Sequence, residues 1–518
     1  MTAPNTDKPL SASNDKQGPE GGEQEGSPHA MPRVGQPKTE DWQLLRPLFS
    51  ALRSLKPILR RPSVLWLGAA PALCLMGVIV LIRGCEGRAP IRPTPQMGIE
   101  SRFWVRVLLL DNVAECIIEV PSAFRLAPAE SAPGAQADEP AMEPLPEPAK
   151  IGLADGRLVL GATPLAGQEV TLCPEQPYIF GLNGQKYRGW LKLVVGPDGR
   201  SFDAVNLVPL EPYLAGVVGE EMPRYWEPQA LKAQAIAART YCLFVKNRFG
   251  TGRSYDVKRT QSSQVYGGIG AESVQIWDAV NSTCGQVLIA PELMAKNREI
   301  ADFGLRPRIE VRGDMIADST RGANPQSAIN NPQSCGLFPA YYGSSCGGHT
   351  TSSEEVFGDS FGPLKGVPCP YCKDVAKWEL FHWPAAAFDR ATVTKRLIER
   401  YPNLESLGEI TDLTAIEESC YGSYSRLRRI RLTGATGKTD TLRAEDLRLA
   451  LDPSGRKIRS TMCLIVPSGD GWAFVSGRGW GHGVGMCQCG AEGMARLGSD
   501  VQSILRYYYP GAEIVNVY

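Results

Sequence analysis

A mixed α+β fold is what the sequence predicts, on three observations. From about Leu153, short apolar runs (RLVLG, YIFGLNG, GWLKLVVGPDG) alternate with glycine turns and read as strands and hairpins. Two segments further on carry helix signals: Pro212 opens a short one, and Pro228 sits in the first turn of a longer one. Third, the chain holds 54 Gly and 41 Pro in 518 residues, which favours turns and loops over long helical bundles. That length exceeds one compact core, so one large domain with accessory segments is expected.

In order, the first 41 residues are rich in Gly, Pro, Ser, Gln and Glu, with seven acidic against four basic residues. So few apolar groups cannot offset the entropy of ordering, and the segment reads as disordered. Residues 42–62 invert the balance with Arg46, Arg53, Lys56, Arg60 and Arg61 and no acid, closing an N-terminal tail of 1–62. Residues 63–82, SVLWLGAAPALCLMGVIVLI, are twenty residues without a charge. At about 1.5 Å per residue they reach roughly 30 Å, the thickness of a bilayer's hydrocarbon. A buried core helix of that length would normally carry polar residues, so a transmembrane helix is expected. No small-x-small cleavage site follows, which favours an uncleaved single-pass anchor at the cell membrane. Basic residues flank both ends, and the positive-inside rule leans only slightly to a cytoplasmic N-terminus, with the large domain extracytoplasmic. After a linker (83–101), the domain 102–518 opens with a strand at FWVRVLLL (103–110). Residues 127–150, dense in Pro, Ala and Glu, read as a flexible insertion. In the helix at Pro228, Leu231, Ala235, Ala238, Cys242 and Val245 recur at three- and four-residue steps, giving one apolar face. A last helix is expected near 387–401.

Composition excludes some functions. With 43% hydrophobic and 21% charged residues the chain is neither wholly disordered nor fibrous. Lys+Arg 55 against Asp+Glu 55 gives no net charge, so a protein that coats nucleic acid is not expected. Only four histidines occur, at 29, 349, 382 and 482.

Three constellations could carry chemistry. Cys346-Gly-Gly-His349 and Cys369-Pro-Tyr-Cys372 have metal-ligand spacing and suit a tetrahedral, structural Zn²⁺ with three thiolates and one imidazole. Two disulfides, unrelated cysteines or a Cys-x-x-Cys redox pair are the alternatives; the last normally opens a helix in a βαβ unit that is missing here. The run GRGWGHGVG (477–485) has glycine at every other position. If extended, it would present one face of bare backbone and another with Arg478, Trp480, His482 and Val484, an indole suited to stacking on a sugar ring. A tightly packed strand crossing another backbone is the plainer reading. Glu220-Glu221-Met222-Pro223 lies between the two helical segments, where acids usually pair with a helix dipole or with solvent.

The segment VNLVPLEPYLAGVVGEEMPRYWEPQALKAQAIAARTYCLF resembles the signature of the SpoIID/LytB family of bacterial cell-wall proteins, related to sporulation stage II protein D. TQSSQVY (260–266), YGSSCGGHT (342–350) and WGHGVGMCQ (480–488) match further motifs in the family's order, and LRYYYPGAEI ends the chain similarly. The likeness covers about 205–518. Residues 290–338 look like an insertion, and Cys487 and Cys489 stand where the family usually shows Ser and an aromatic residue. The resemblance implies a SpoIID-like catalytic domain with a zinc knuckle, acting as a lytic transglycosylase on peptidoglycan glycan strands stripped of their peptides. Its catalytic acid falls on Glu221. Such an enzyme protonates the glycosidic oxygen and lets the sugar's own C6 hydroxyl attack C1, leaving a 1,6-anhydro end, so one carboxyl suffices. Its pKa should be raised, with burial beside Met222 or Tyr225 as the expected cause. Arg239, Tyr241, Gln264, Arg478, Trp480, His482 and Gln488 are the polar and aromatic residues expected around the glycan, and the knuckle is expected to shape the groove. Some family members are described as enhancers of a cell-wall amidase, which gives a non-catalytic alternative; an acid at Glu221 favours the enzyme. A zinc-ribbon interaction module is a weaker rival.

Overall fold

The apolar run after Phe103 becomes β1 (Trp104–Val113), and it lacks polar alternation because both faces are covered. Val105, Val107 and Leu109 enter the main core, whereas Trp104 and Leu108 pack with Trp190, Val205 and Leu207 on the other side. Ten more strands follow: β2 (Cys116–Val120), β3 (Phe124–Pro128), β4 (Leu145–Ala154), β5 (Arg157–Leu160), β6 (Thr163–Pro164), β7 (Glu169–Pro174), β8 (Ile179–Leu182), β9 (Gln185–Arg188), β10 (Trp190–Val195) and β11 (Phe202–Pro209). With β12 (Val257–Lys258) they make two six-stranded sheets, in the orders β12-β1-β11-β10-β7-β3 and β6-β5-β4-β2-β8-β9.

This computed structural model describes residues 103–128, 141–249, 252–296 and 336–518. The expected tail, the span 63–82, the linker and most of the 290–338 insertion lie outside the described residues. No helix among the described residues is long and apolar enough to cross a membrane. The expected insertion at 127–150 needs correction, since Leu145–Lys150 belongs to β4 and pairs with β2. Pro146 and Pro148 are tolerated because β5 pairs only with residues 151–154, leaving that stretch of β4 with a free edge.

Three helices continue the main core. α1 (Leu210–Glu221) is buried from Leu210 to Val218, and it stops where Met222 turns extended ahead of Pro223. Pro212 lies in its first turn, as the sequence suggests. α2 (Pro228–Phe249) starts on Pro228 and buries the predicted Leu231, Ala235, Ala238, Cys242 and Val245. In α3 (Val274–Ser282) the Ser273 side chain caps the start by accepting from the Ile276 N–H. β13 (Gln286–Ile289) and β14 (Tyr342–Gly343) follow.

A second core then forms. It comprises β15 (His382–Trp383), β16 (Ala386–Asp389), α4 (Arg390–Arg400), the long hairpin β17 (Ile410–Tyr421) and β18 (Tyr424–Gly434), β19 (Thr439–Arg443), α5 (Ala444–Leu451), β20 (Leu464–Ser468) and β21 (Gly471–Val475). The helix expected from 387 starts only at Arg390, capped by Asp389, because Ala386–Asp389 pairs with β21 instead. The chain then returns to the main core through β22 (Gly477–Arg478), β23 (Met486–Cys487), α6 (Gln488–Arg496), α7 (Val501–Tyr508) and β24 (Glu513–Asn516), which pairs with β13. Mixed α+β holds.

Candidate functional site

Glu221 is the last residue of α1, where the helix carbonyls point outward. Its carboxyl group is withdrawn from solvent. Oε1 accepts from the Val265 backbone N–H at 3.1 Å and Oε2 from the Gln488 side-chain amide at 3.2 Å. Burial raises its pKa above the ordinary carboxylate value, the two donors pull it back in part, and the Glu220 charge adds a smaller push upward. The outcome is a carboxyl biased toward holding a proton. Met222 is itself buried, whereas Tyr225 is 80% exposed and gives no shelter. Glu220 is exposed, with its carboxyl against Gly267, so the two adjacent acids occupy different environments.

Tyr342 was not singled out in the sequence, although it opens the YGSSCGGHT motif. It is half-buried, and it lies close enough to Glu221 for that charge to raise its pKa, second only to desolvation of its hydroxyl. Its hydroxyl accepts from the Gln264 amide at 2.8 Å. Gln264 in turn accepts from Tyr213 at 2.9 Å and donates to the Ala238 carbonyl at 3.2 Å. β14 runs parallel to β23, pairing Tyr342 with Met486 and Gly343 with Cys487. Two distant motifs thereby meet at Glu221, one bringing Tyr342 and the other Gln488.

The other expected ligand-facing residues divide. Gln264, 1% exposed, is a strut between helices, and Arg239, 0% exposed, is a core residue rather than a groove residue. The Arg239 guanidinium grips Glu211 with two bonds of 2.9 and 2.6 Å and donates to the Gln286 carbonyl at 3.0 Å. Sequence shows polarity but not direction, so the expectation of substrate contacts at Arg239 and Gln264 gives way to buried structural roles. Tyr241 is half-buried beside Tyr341, and burial pushes its phenol up to about 12. Arg478 lies over the Tyr424 ring and Trp480 beneath the Arg459 guanidinium. His482 accepts from the Val484 N–H at 2.9 Å, edge-on to Tyr341 and Phe357, and its desolvated ring is lowered to about 4, hence neutral at pH 7.

The glycine run is not a flat strand. Gly479, Gly481, Gly483 and Gly485 have φ of +73°, +105°, +76° and +73°, so every second residue reverses the chain and Arg478, Trp480 and His482 find separate neighbours. A side chain at Gly479 would sit 2.5 Å from the Ser345 carbonyl, and one at Gly485 would strike the Tyr341 carbonyl. Close backbone crossing, the plainer reading, accounts for these glycines.

The expected metal ligands also need one correction. The sulfurs of Cys346, Cys369, Cys372 and Cys487 lie within 4.8 Å of one another and all four residues are buried. His349 is outside that group: its ring stacks on Tyr421 at 3.9 Å and Nδ1 is engaged by the Thr350 carbonyl. Sequence spacing favoured the local Cys-x-x-His pair, while the fourth sulfur comes from 141 residues beyond Cys346.

Such an arrangement defines an α+β protein with a recessed carboxyl group at a helix end, held by the Val265 N–H and the Gln488 amide. Comparison with known proteins places it more closely. A family model described as Stage II sporulation protein matches residues 198–289, the stretch holding α1, Glu221, α2 and Gln264. An uncharacterized protein of Brachyspira hyodysenteriae is 30% identical over 337 residues, covering 65% of this chain and 74% of that one. Stage II sporulation protein D of Bacillus subtilis is 29% identical over 301 residues, 58% of this chain and 72% of its own length. The amidase enhancer of the same species is 25% identical over 409 residues, and this chain spans only 50% of it. The chain belongs to the SpoIID/LytB family.

Proposed function

We propose that this protein is a membrane-anchored lytic transglycosylase that cuts denuded peptidoglycan glycan strands, with Glu221 as its single acid and base. The observation that carries the reading is the Glu221 carboxyl, sheltered at a helix end with its pKa raised and both oxygens already oriented. In the first half of the reaction Glu221 protonates the glycosidic oxygen and the bond from that oxygen to C1 breaks. The C6 hydroxyl of the same N-acetylmuramic acid attacks C1 and returns its proton to the carboxylate, closing a 1,6-anhydro ring. Val265 N–H and the Gln488 amide stabilise the transient carboxylate, which keeps the group a usable acid rather than a permanently neutral one. A conventional glycoside hydrolase needs a second carboxylate flanking the bond. Glu220 is poorly placed for that role, being exposed and packed toward Gly267. Arg478, Trp480, His482 and Tyr241 are the residues we assign to the glycan groove, and Tyr342 joins Glu221 at the reacting bond.

The name of one relative, an amidase enhancer, favours a second reading in which the protein binds glycan and activates a cell-wall amidase. Mass analysis of glycan ends separates the two. The enzyme yields 1,6-anhydro ends and no new reducing ends. Glu221→Gln keeps shape but has no transferable proton, so cleavage should fall by about 10²–10⁴-fold while strand binding persists. Glu220→Gln should retain most activity. New reducing ends would mean a hydrolase. No cleavage by the wild type, with amidase stimulation that survives Glu221→Gln, would establish the enhancer.

A further inference from the structure

We propose that Cys346, Cys369, Cys372 and Cys487 hold one metal ion as a tetrathiolate, with Cys487 rather than His349 as the fourth ligand, and that this centre fixes the start of α6. The inference does not depend on which reaction the protein performs. Geometry is the first support. In a tetrahedral site with metal–sulfur bonds of about 2.3 Å, neighbouring sulfurs stand about 3.8 Å apart. Cys346 Sγ and Cys372 Sγ are 3.8 Å apart, and every pair among the four falls within 4.8 Å. Two disulfides would instead draw the sulfurs into two pairs at about 2.05 Å.

The surroundings supply hydrogen-bond donors to the sulfurs. Cys487 Sγ accepts from the Cys346 N–H and from the Gly490 N–H, each at 3.3 Å. Cys487 is also the N-cap of α6, where a helix favours negative charge. The Tyr508 hydroxyl lies 3.2 Å from Cys369 Sγ. A side chain on Gly490 would come within 2.6 Å of that same sulfur, so the helix is kept bare where it faces the cluster. Four buried sulfurs gathered at one point could all ionise only with a cation among them. An all-sulfur tetrahedral set selects Zn²⁺ or iron over harder ions. With four protein ligands no vacancy is left for water, so the ion's work is structural. Its reach is local: Cys487 is followed directly by Gln488, whose amide holds Glu221 Oε2.

The test is metal analysis of the full chain purified without chelator, followed by exchange to Co²⁺. One equivalent of Zn²⁺ or iron is expected, and the cobalt protein should show thiolate-to-metal charge transfer with the intense visible bands of a tetrahedral all-sulfur site. His349→Ala should leave content and spectrum unchanged. Cys487→Ser should lower retained metal to below about a tenth of an equivalent or convert the cobalt spectrum to that of a three-sulfur site. Should Cys487→Ser fail to fold, the cobalt spectra of the wild type and of His349→Ala still decide, because they count sulfurs directly. Loss of metal in His349→Ala, a wild-type spectrum with three sulfurs and one nitrogen, or metal-free protein with these cysteines mapped as disulfides would each overturn the proposal.

Discussion

At Glu221 two effects oppose each other, and the surplus of one sets the chemistry. Burial favours the protonated form, and the donors from Val265 and Gln488 favour the ionised one. Removing the second donor leaves burial less opposed, so Gln488→Ala should raise the pKa of Glu221 further. In the proposed reaction the protonated carboxyl is the active form, and activity declines as pH rises through that pKa. The declining limb of the pH profile should therefore move to higher pH in Gln488→Ala. A limb that stays in place or moves down would show that Gln488 does not bear on the acid. Glu221 is singled out by the family resemblance rather than by its local sequence, and Gln488, expected beside the glycan, instead donates to the Glu221 carboxyl. Arg239 and Gln264 were not read correctly. Each is as polar as a ligand-binding residue, but Arg239 spends its donors on Glu211 and on carbonyls of neighbouring elements. Cys487 was visible only as a departure from the family's pattern, because its partners are brought to it by strand pairing and not by spacing.

The elements show the same division between local and distant information. The starts of α1 and α2 follow from Pro212 and Pro228, which set backbone angles whatever lies nearby. The glycine run misleads, because alternation suggests an extended strand while the contacts that demand glycine come from distant residues: the 341–347 backbone at Gly479 and Gly485, Trp383 at Gly477 and Arg426 at Gly483. Gly485 is the sharpest case. Its φ of +73° strains any other residue, and an added methyl would meet the Tyr341 carbonyl. Gly485→Ala should cost at least about 2 kcal/mol in denaturant unfolding, adding the left-handed penalty to overpacking. Gly270→Ala, with ordinary φ and no atom within 4 Å of the new carbon, is the control and should stay within about 1 kcal/mol. Equal stability of the two variants would remove the close-crossing argument.

On the scale of the whole molecule, the sequence suggests one domain from 102 to 518, and the structure divides the apolar groups of the described residues between two large cores and a small cluster on the far face of β1. Residues between Trp383 and Phe474 build the second. Its hairpin returns to the site, where Arg426 donates to the Cys346 carbonyl at 2.8 Å and Tyr421 stacks on His349. No motif announces this, since helices and strands of ordinary composition do not reveal which core they join. The charge-free stretch 63–82 supports the proposal of a single-pass anchor with the large domain outside. Protease added to intact spheroplasts should then digest the C-terminal domain and spare the N-terminal tail; the opposite pattern would reverse the topology. Finally, β24 completes β13, the Tyr518 hydroxyl reaches Glu211 beneath the Arg239 pair, and the Tyr518 ring meets Phe103 at 4.2 Å. Residues at both ends of 103–518 thus close one core, so removing the strand at 513–516 should unsettle the packing at Phe103 as well as at β13.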